Sequence, residues 1–82
     1  MMIEVKFNSS ELSEKLRSGA YDLPEGSTVA SLIELAQREA GYEMTKELED
    51  NLVFLYDNRH AALDTKLGQN GKLRVLHKVL GG

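Results

Sequence analysis

Ser27-Thr28-Val29-Ala30-Ser31-Leu32-Ile33-Glu34-Leu35-Ala36-Gln37-Arg38-Glu39-Ala40-Gly41 is the stretch that decides how this chain folds. Val29, Leu32, Ile33, Ala36 and Ala40 recur at offsets that place them on one side of an α-helix. Ser27 or Thr28 can cap the start with a side-chain oxygen, and Gly41 suits the left-handed position just past the end. The spacing predicts a helix over 28–40. With one strong helical pattern in the sequence, the strands must find their cover on this element.

Toward the N-terminus, Ile3, Val5 and Phe7 alternate with Glu4 and Lys6, the mark of a half-buried strand. Asn8-Ser9-Ser10 ends it. Ala20-Tyr21-Asp22-Leu23 reads as a second strand, closed by Pro24-Glu25-Gly26. The two strands form an antiparallel hairpin with a long polar loop from Asn8 to Gly19, in which Leu12 and Leu16 can make a helical turn. Toward the C-terminus, Glu43 to Asp50 is acidic and holds a short helical turn after Thr45. Leu52-Val53-Phe54-Leu55-Tyr56 is too short for a helix and rich in strand formers. Asp57-Asn58 marks a turn, and Ala61-Ala62-Leu63 is expected to pair back as an edge strand. After Leu67 and the turn Gly68-Gln69-Asn70-Gly71, Leu73-Arg74-Val75-Leu76 begins a last strand that runs toward Gly81-Gly82.

The order is β, β, α, β, short β, β. One helix can cover such a sheet when the first and last strands lie side by side. The predicted class is α+β, a β-grasp arrangement with a mixed sheet of four to five strands and one main helix on one face. Residues 1–77 form a single domain and 78–82 an extended tail. The expected core is Ile3, Val5, Phe7, Leu23, Val29, Leu32, Ile33, Ala36, Leu52, Phe54, Leu67, Leu73 and Val75.

Composition narrows the function. A chain of 82 residues buries only about 60–65% of its unfolded surface. That leaves no room for a deep active-site cavity, so catalysis by this chain alone is not expected. Ten Lys and Arg stand against thirteen Asp and Glu, a net charge of −3, which leaves no basic footprint for nucleic acid. The absence of cysteine removes disulfides, thiolate metal sites and a catalytic thiol. No run of about 18 apolar residues exists to span a membrane. Met1-Met2-Ile3-Glu4-Val5-Lys6 lacks the basic and apolar regions of a secretion signal. The expected location is the cytoplasm, and Met1-Met2 leaves the start residue open.

Three features carry no chemistry on inspection. Gly68-Gln69-Asn70-Gly71-Lys72 has two residues between its glycines, where a phosphate-binding loop needs four and a Ser or Thr after the Lys. It reads as a tight turn. His60 and His77 match no metal-ligand spacing. Glu43, Glu47, Glu49 and Asp50 read as a solvated acidic face.

The informative residues are the last: Lys78-Val79-Leu80-Gly81-Gly82. Fully extended, these five reach about 17 Å, enough to enter a narrow channel in another protein. Glycine lets the backbone approach partner groups that a Cβ would hold off. The Gly82 carboxyl, ordinarily near pKa 3.5, is ionised at neutral pH. Its oxygen can attack the α-phosphate of ATP when a partner supplies the metal and cations. A sulfur nucleophile can then displace AMP and leave a thiocarboxylate.

At this point the chain resembles a known family, the ubiquitin-like sulfur carriers of the MoaD/ThiS group, and within it most of all MoaD, the small subunit of molybdopterin synthase. The residues that carry the resemblance are Met2-Ile3-Glu4-Val5-Lys6-Phe7, Gly26-Ser27-Thr28-Val29-Ala30-Ser31-Leu32, Leu63-Asp64-Thr65-Lys66-Leu67 and Val79-Leu80-Gly81-Gly82. The chain departs from the family pattern at Gln69-Asn70-Gly71-Lys72 and at His77-Lys78. The resemblance implies a non-catalytic carrier loaded at Gly82 by a MoeB/ThiF-like adenylating enzyme. It implies a sulfur-accepting synthase as the second partner, MoaE-like or thiazole synthase-like. Gly81, Leu80, Val79, Lys78 and Leu76 would form the docking strip, with Arg74 and Arg59 as rim contacts. The carrier itself would bind no cofactor or metal, while ATP and Mg²⁺ would serve the activating partner. A ubiquitin-like modifier joined to lysines through Gly82 uses the same activated carboxylate, and a plain β-grasp interaction module is the third reading.

Overall fold

The structure, a computed structural model, describes residues 1–78. Five strands form one sheet in the order β2-β1-β5-β3-β4. They are β1 (Met2–Phe7), β2 (Gly19–Asp22), β3 (Leu52–Tyr56), β4 (Arg59–Ala61) and β5 (Lys72–His77). Strands β1 and β5 are neighbours, as expected for the first and last strands, and they run parallel, while the other pairs are antiparallel. Three helices join them: α1 (Ser10–Lys15), α2 (Val29–Ala40) and α3 (Lys46–Asp50).

Helix α2 follows its sequence signals closely. Thr28 is the N-cap, and its Oγ1 accepts from the Ser31 amide at 3.3 Å while Ser31 Oγ accepts from the Thr28 amide at 3.2 Å. This reciprocal pair satisfies two amide donors that a helix start leaves open. The next two are taken by the loop after β4: Val29 N donates to the Thr65 carbonyl at 3.0 Å and Ala30 N to the Leu63 carbonyl at 2.8 Å. Gly41 ends the helix at φ 64°, a left-handed conformation glycine adopts without a Cβ penalty.

Every residue of the expected core is buried, and five more join it: Leu12, Leu16, Tyr21, Met44 and Leu48. Val29, Leu32, Ile33 and Ala36 of α2 meet the inward rows of β1, β3 and β5 in one cluster. Leu12 and Leu16 do more than make a turn in a polar loop. Helix α1 is capped by Ser9 Oγ on the Leu12 amide, and both leucines close the core.

One expected element moves. The edge strand is Arg59–Ala61 and not Ala61–Leu63. Asp57 and Asn58 both take positive φ, 49° and 67°, the conformation of a two-residue hairpin turn whose twist suits the strands. Pairing therefore starts at once, Tyr56 against Arg59 and Leu55 against His60. Leu63 instead lies in the loop that caps α2. Among the described residues no helix is long and apolar enough to cross a membrane.

Candidate functional site

Strand β5 is the route to the chain's end, and it lies between β1 and β3 near the middle of the sheet. Its last anchor is Lys78, whose amide donates to the Asn51 carbonyl at 2.7 Å. The expected tail therefore leaves from a point held by a neighbouring segment. Val79, Leu80, Gly81 and Gly82 lie outside the described residues, as does the reading of 78–82 as an extended tail apart from Lys78.

The alternation of β5 sorts the remaining site residues. Leu73 and Val75 point into the core, as the sequence suggests, while Lys72 and Arg74 are exposed and Leu76 is half-buried. Leu76 stands opposite Val53, and Arg74 opposite Leu55, both on β3. On its other side Arg74 neighbours Lys6 of β1. The face turned away from α2 thus carries a half-buried apolar group, Val53, Leu55 and Leu76, with Lys6, Arg74 and His60 around it.

Arg59 does not join this group. It pairs with Tyr56, which pairs with Leu73, so period-2 alternation puts it on the α2 side of the sheet. His60 stands where Arg59 was expected, beside Leu55. Sequence reading missed Lys6, Val53 and Leu55. Their alternation with core residues was visible, but which strands lie beside β5 was needed to bring them to Leu76.

Beside the exit, Asn8, Ser9, Ser10, Leu76, His77 and Lys78 line a shallow open cleft. His77 is exposed, opposite Leu52, and lines a second shallow cleft with Glu11, Thr45, Glu47, Leu48 and Asn51. The Gly68–Gly71 segment is a turn and not a phosphate loop: Gly71 N donates to the Gly68 carbonyl at 3.1 Å, and a strand follows.

Among the described residues, Tyr21 is the titratable group with a shifted proton affinity. Burial pushes its hydroxyl above the ordinary 10.0, the Arg17 guanidinium pulls it back in part, and the Glu39 carboxylate adds to the rise. Its hydroxyl donates to the Arg17 carbonyl at 2.5 Å, and the Arg17 guanidinium sits 4.1 Å from the ring centre. This is a core fixture behind the edge of β2, remote from Lys78.

Comparison with known proteins places this geometry. No protein-family model matches the chain, and no curated protein sequence matches it significantly. Solved structures do. SAMP1, the small archaeal modifier protein 1 of Haloferax volcanii, superposes with a TM-score of 0.75 at 19% identity over all of both chains. A putative molybdopterin converting factor subunit 1 from Pyrococcus furiosus gives 0.74 at 17%, over 96% of this chain and 99% of that one. A complex of subunits 1 and 2 of the molybdopterin-converting factor from Helicobacter pylori gives 0.60 at 20%, over all of both chains. The chain has the β-grasp, ubiquitin-like fold that these proteins share. The expected fold and the resemblance to MoaD-type structures are borne out.

Proposed function

We propose that this chain is a sulfur carrier that works through its terminal carboxylate. A partner of the MoeB/ThiF kind binds ATP and Mg²⁺. A Gly82 carboxylate oxygen attacks the α-phosphorus, and pyrophosphate leaves with the broken phosphoanhydride bond. A sulfur nucleophile then attacks the acyl carbon, the carbon–oxygen bond to AMP breaks, and a thiocarboxylate remains. The carrier gives that sulfur to a synthase in cofactor biosynthesis, in the first place a molybdopterin synthase with a MoaE-like large subunit, in the second a thiazole synthase.

The observation that carries this reading is the exit of β5. A central strand, anchored at Lys78 and bordered by the Leu76–Val53–Leu55 group, is followed in the sequence by Val79-Leu80-Gly81-Gly82. A fold shared with converting-factor subunit 1, in one case solved with subunit 2, supports the same assignment. On this reading the chain is a protein substrate, binds no cofactor of its own, and docks through Leu76, Lys78, Val79, Leu80 and Gly81, with Arg74 at the rim.

The test has two parts. Protein isolated from its own host should terminate at Gly82 and carry a fraction heavier by the exchange of one oxygen for one sulfur. Gly82→Ala should keep the fold, since terminal residues contribute little to it, and should lose ATP–pyrophosphate exchange with the host's adenylating enzyme. Exchange equal to wild type would refute the channel argument. The likeness to a small archaeal modifier protein favours protein conjugation as the second reading. Isopeptide adducts of Gly82 on host lysines, without a thiocarboxylate fraction, would select it.

A further inference from the structure

The outer face of the sheet holds two cations that make no ion pair with any described residue. Lys6 and Arg74 stand side by side in the parallel register of β1 and β5. Strands in a sheet run about 4.8 Å apart, so the fold keeps two like charges as immediate neighbours, an arrangement that costs free energy. Both residues are exposed, and neither makes a side-chain hydrogen bond or ion pair with a described residue.

Carboxylates are not scarce, since the sequence has thirteen. Most lie off this face, among them Glu34 and Glu39 on α2, Glu47, Glu49 and Asp50 on α3, and Glu11 and Glu14 on α1. Glu4 stands on the outer face one row from the pair, two residues before Lys6 and beside Lys72, with Asp22 further along the face and Asp57 in the turn next to Lys72. None of the three makes an ion pair with Lys6 or Arg74. Next to the cation pair are Leu55 and, one row toward the exit, Leu76 and Val53.

We propose that Lys6 and Arg74 form a carboxylate-reading pair on a protein-docking face. The occupant is a folded protein surface that presents an aspartate or glutamate beside an apolar side chain. It belongs to the enzyme that takes up the chain's end, and in this respect the inference rests on the function proposed above. One carboxylate between the two cations accepts charge-assisted hydrogen bonds from both and removes their mutual repulsion. Its apolar neighbour covers Leu55, Leu76 and Val53. The face is continuous with Lys78 through Leu76, so a partner seated here reaches the last described residue of the chain. Nucleic acid fits poorly, because the centre of the patch is apolar and has no stacking aromatic: Tyr21 and Tyr56 belong to the opposite side of the sheet.

The experiment measures ATP–pyrophosphate exchange by the host's adenylating enzyme as a function of carrier concentration. Lys6→Glu/Arg74→Glu should raise the KM for the carrier by about tenfold or more and leave kcat near wild type, since docking charges act on encounter and register. Lys46→Glu/Lys66→Glu, the same charge change off this face, should leave KM unchanged. The wild-type KM should rise with salt, and that of the Lys6/Arg74 reversal should rise less. Equal KM for both double variants would overturn the inference and leave the role of Gly82 standing. No exchange with wild-type carrier would remove both. Loss of the patch's amide signals on addition of oligo-dT or phosphatidylserine vesicles, with KM unaffected by the reversal, would assign the face to an anionic polymer or lipid and overturn it as well.

Discussion

The ring of Tyr56 lies against the α-carbon of Gly71, so closely that a Cβ at position 71 would overlap the ring and sit 2.6 Å from its Cζ. The same tyrosine fixes the turn from the other end. Its Oη accepts from the Gly68 amide at 2.6 Å and donates to the Gly68 carbonyl at 3.2 Å. Gly71 N in turn closes on Gly68 O, Glu4 N donates to Gly71 O, and Asn70 N donates to Met2 O. The tyrosine of β3 thus sets where β5 begins.

Gly71→Ala should therefore destabilise the domain by about 1–3 kcal/mol, the usual cost of forcing a methyl into packed space. Tyr56→Leu should relieve most of that overlap. In urea unfolding the double variant should then be more stable than the sum of the two single losses.

Leu32 is fully buried at the centre of the α2 stripe. Leu32→Ala should cost about 2–5 kcal/mol through the cavity it leaves. The check is a fall in the denaturant midpoint with an unchanged slope.

Tyr21 predicts an alkaline limit. Its folded-state proton affinity is raised above the ordinary 10.0. Below pH 10 both folded and unfolded chains keep the proton, and the group adds no pH dependence. Above it, the unfolded chain ionises first, the folded chain binds more protons, and stability falls as pH rises toward the folded pKa. Tyr21→Phe leaves the Arg17 carbonyl without its donor and should cost about 1–2 kcal/mol at pH 8. The gap to wild type should narrow above pH 10, as read by unfolding curves at both pH values.

Leu76→Ser tests the docking strip without touching the core row of β5. Stability should change by about 1 kcal/mol or less, given the half-buried outer position. The KM for the carrier in the exchange assay should rise while kcat stays near wild type. An unchanged KM would take Leu76 out of the strip.

The sequence made some of this legible and not the rest, for reasons that lie in particular residues. Val29 to Ala40 carried its own periodicity and caps, and β1, β3 and β5 carried alternation or apolar runs, so the topology followed from needing one cover for all strands. The edge strand starts at Arg59 because Asp57 and Asn58 form a two-residue turn, whereas local apolarity points to Ala61-Ala62-Leu63. Leu12 and Leu48 sit in short helices amid charged residues, with Leu16 just past the end of one and Met44 just before the start of the other. Their burial depends on what those helices dock against, which no local pattern reveals. The placement of Arg59 and Lys6 needed strand neighbours and register, which are tertiary facts.

The bond from Lys78 to Asn51 and the position of β5 between two neighbours have a mechanical consequence. Traction applied beyond Lys78 would be shared lengthwise by the ladders to β1 and β3, so many hydrogen bonds would have to yield together and not one after another. The domain can serve as a firm handle for whatever engages the chain past Lys78.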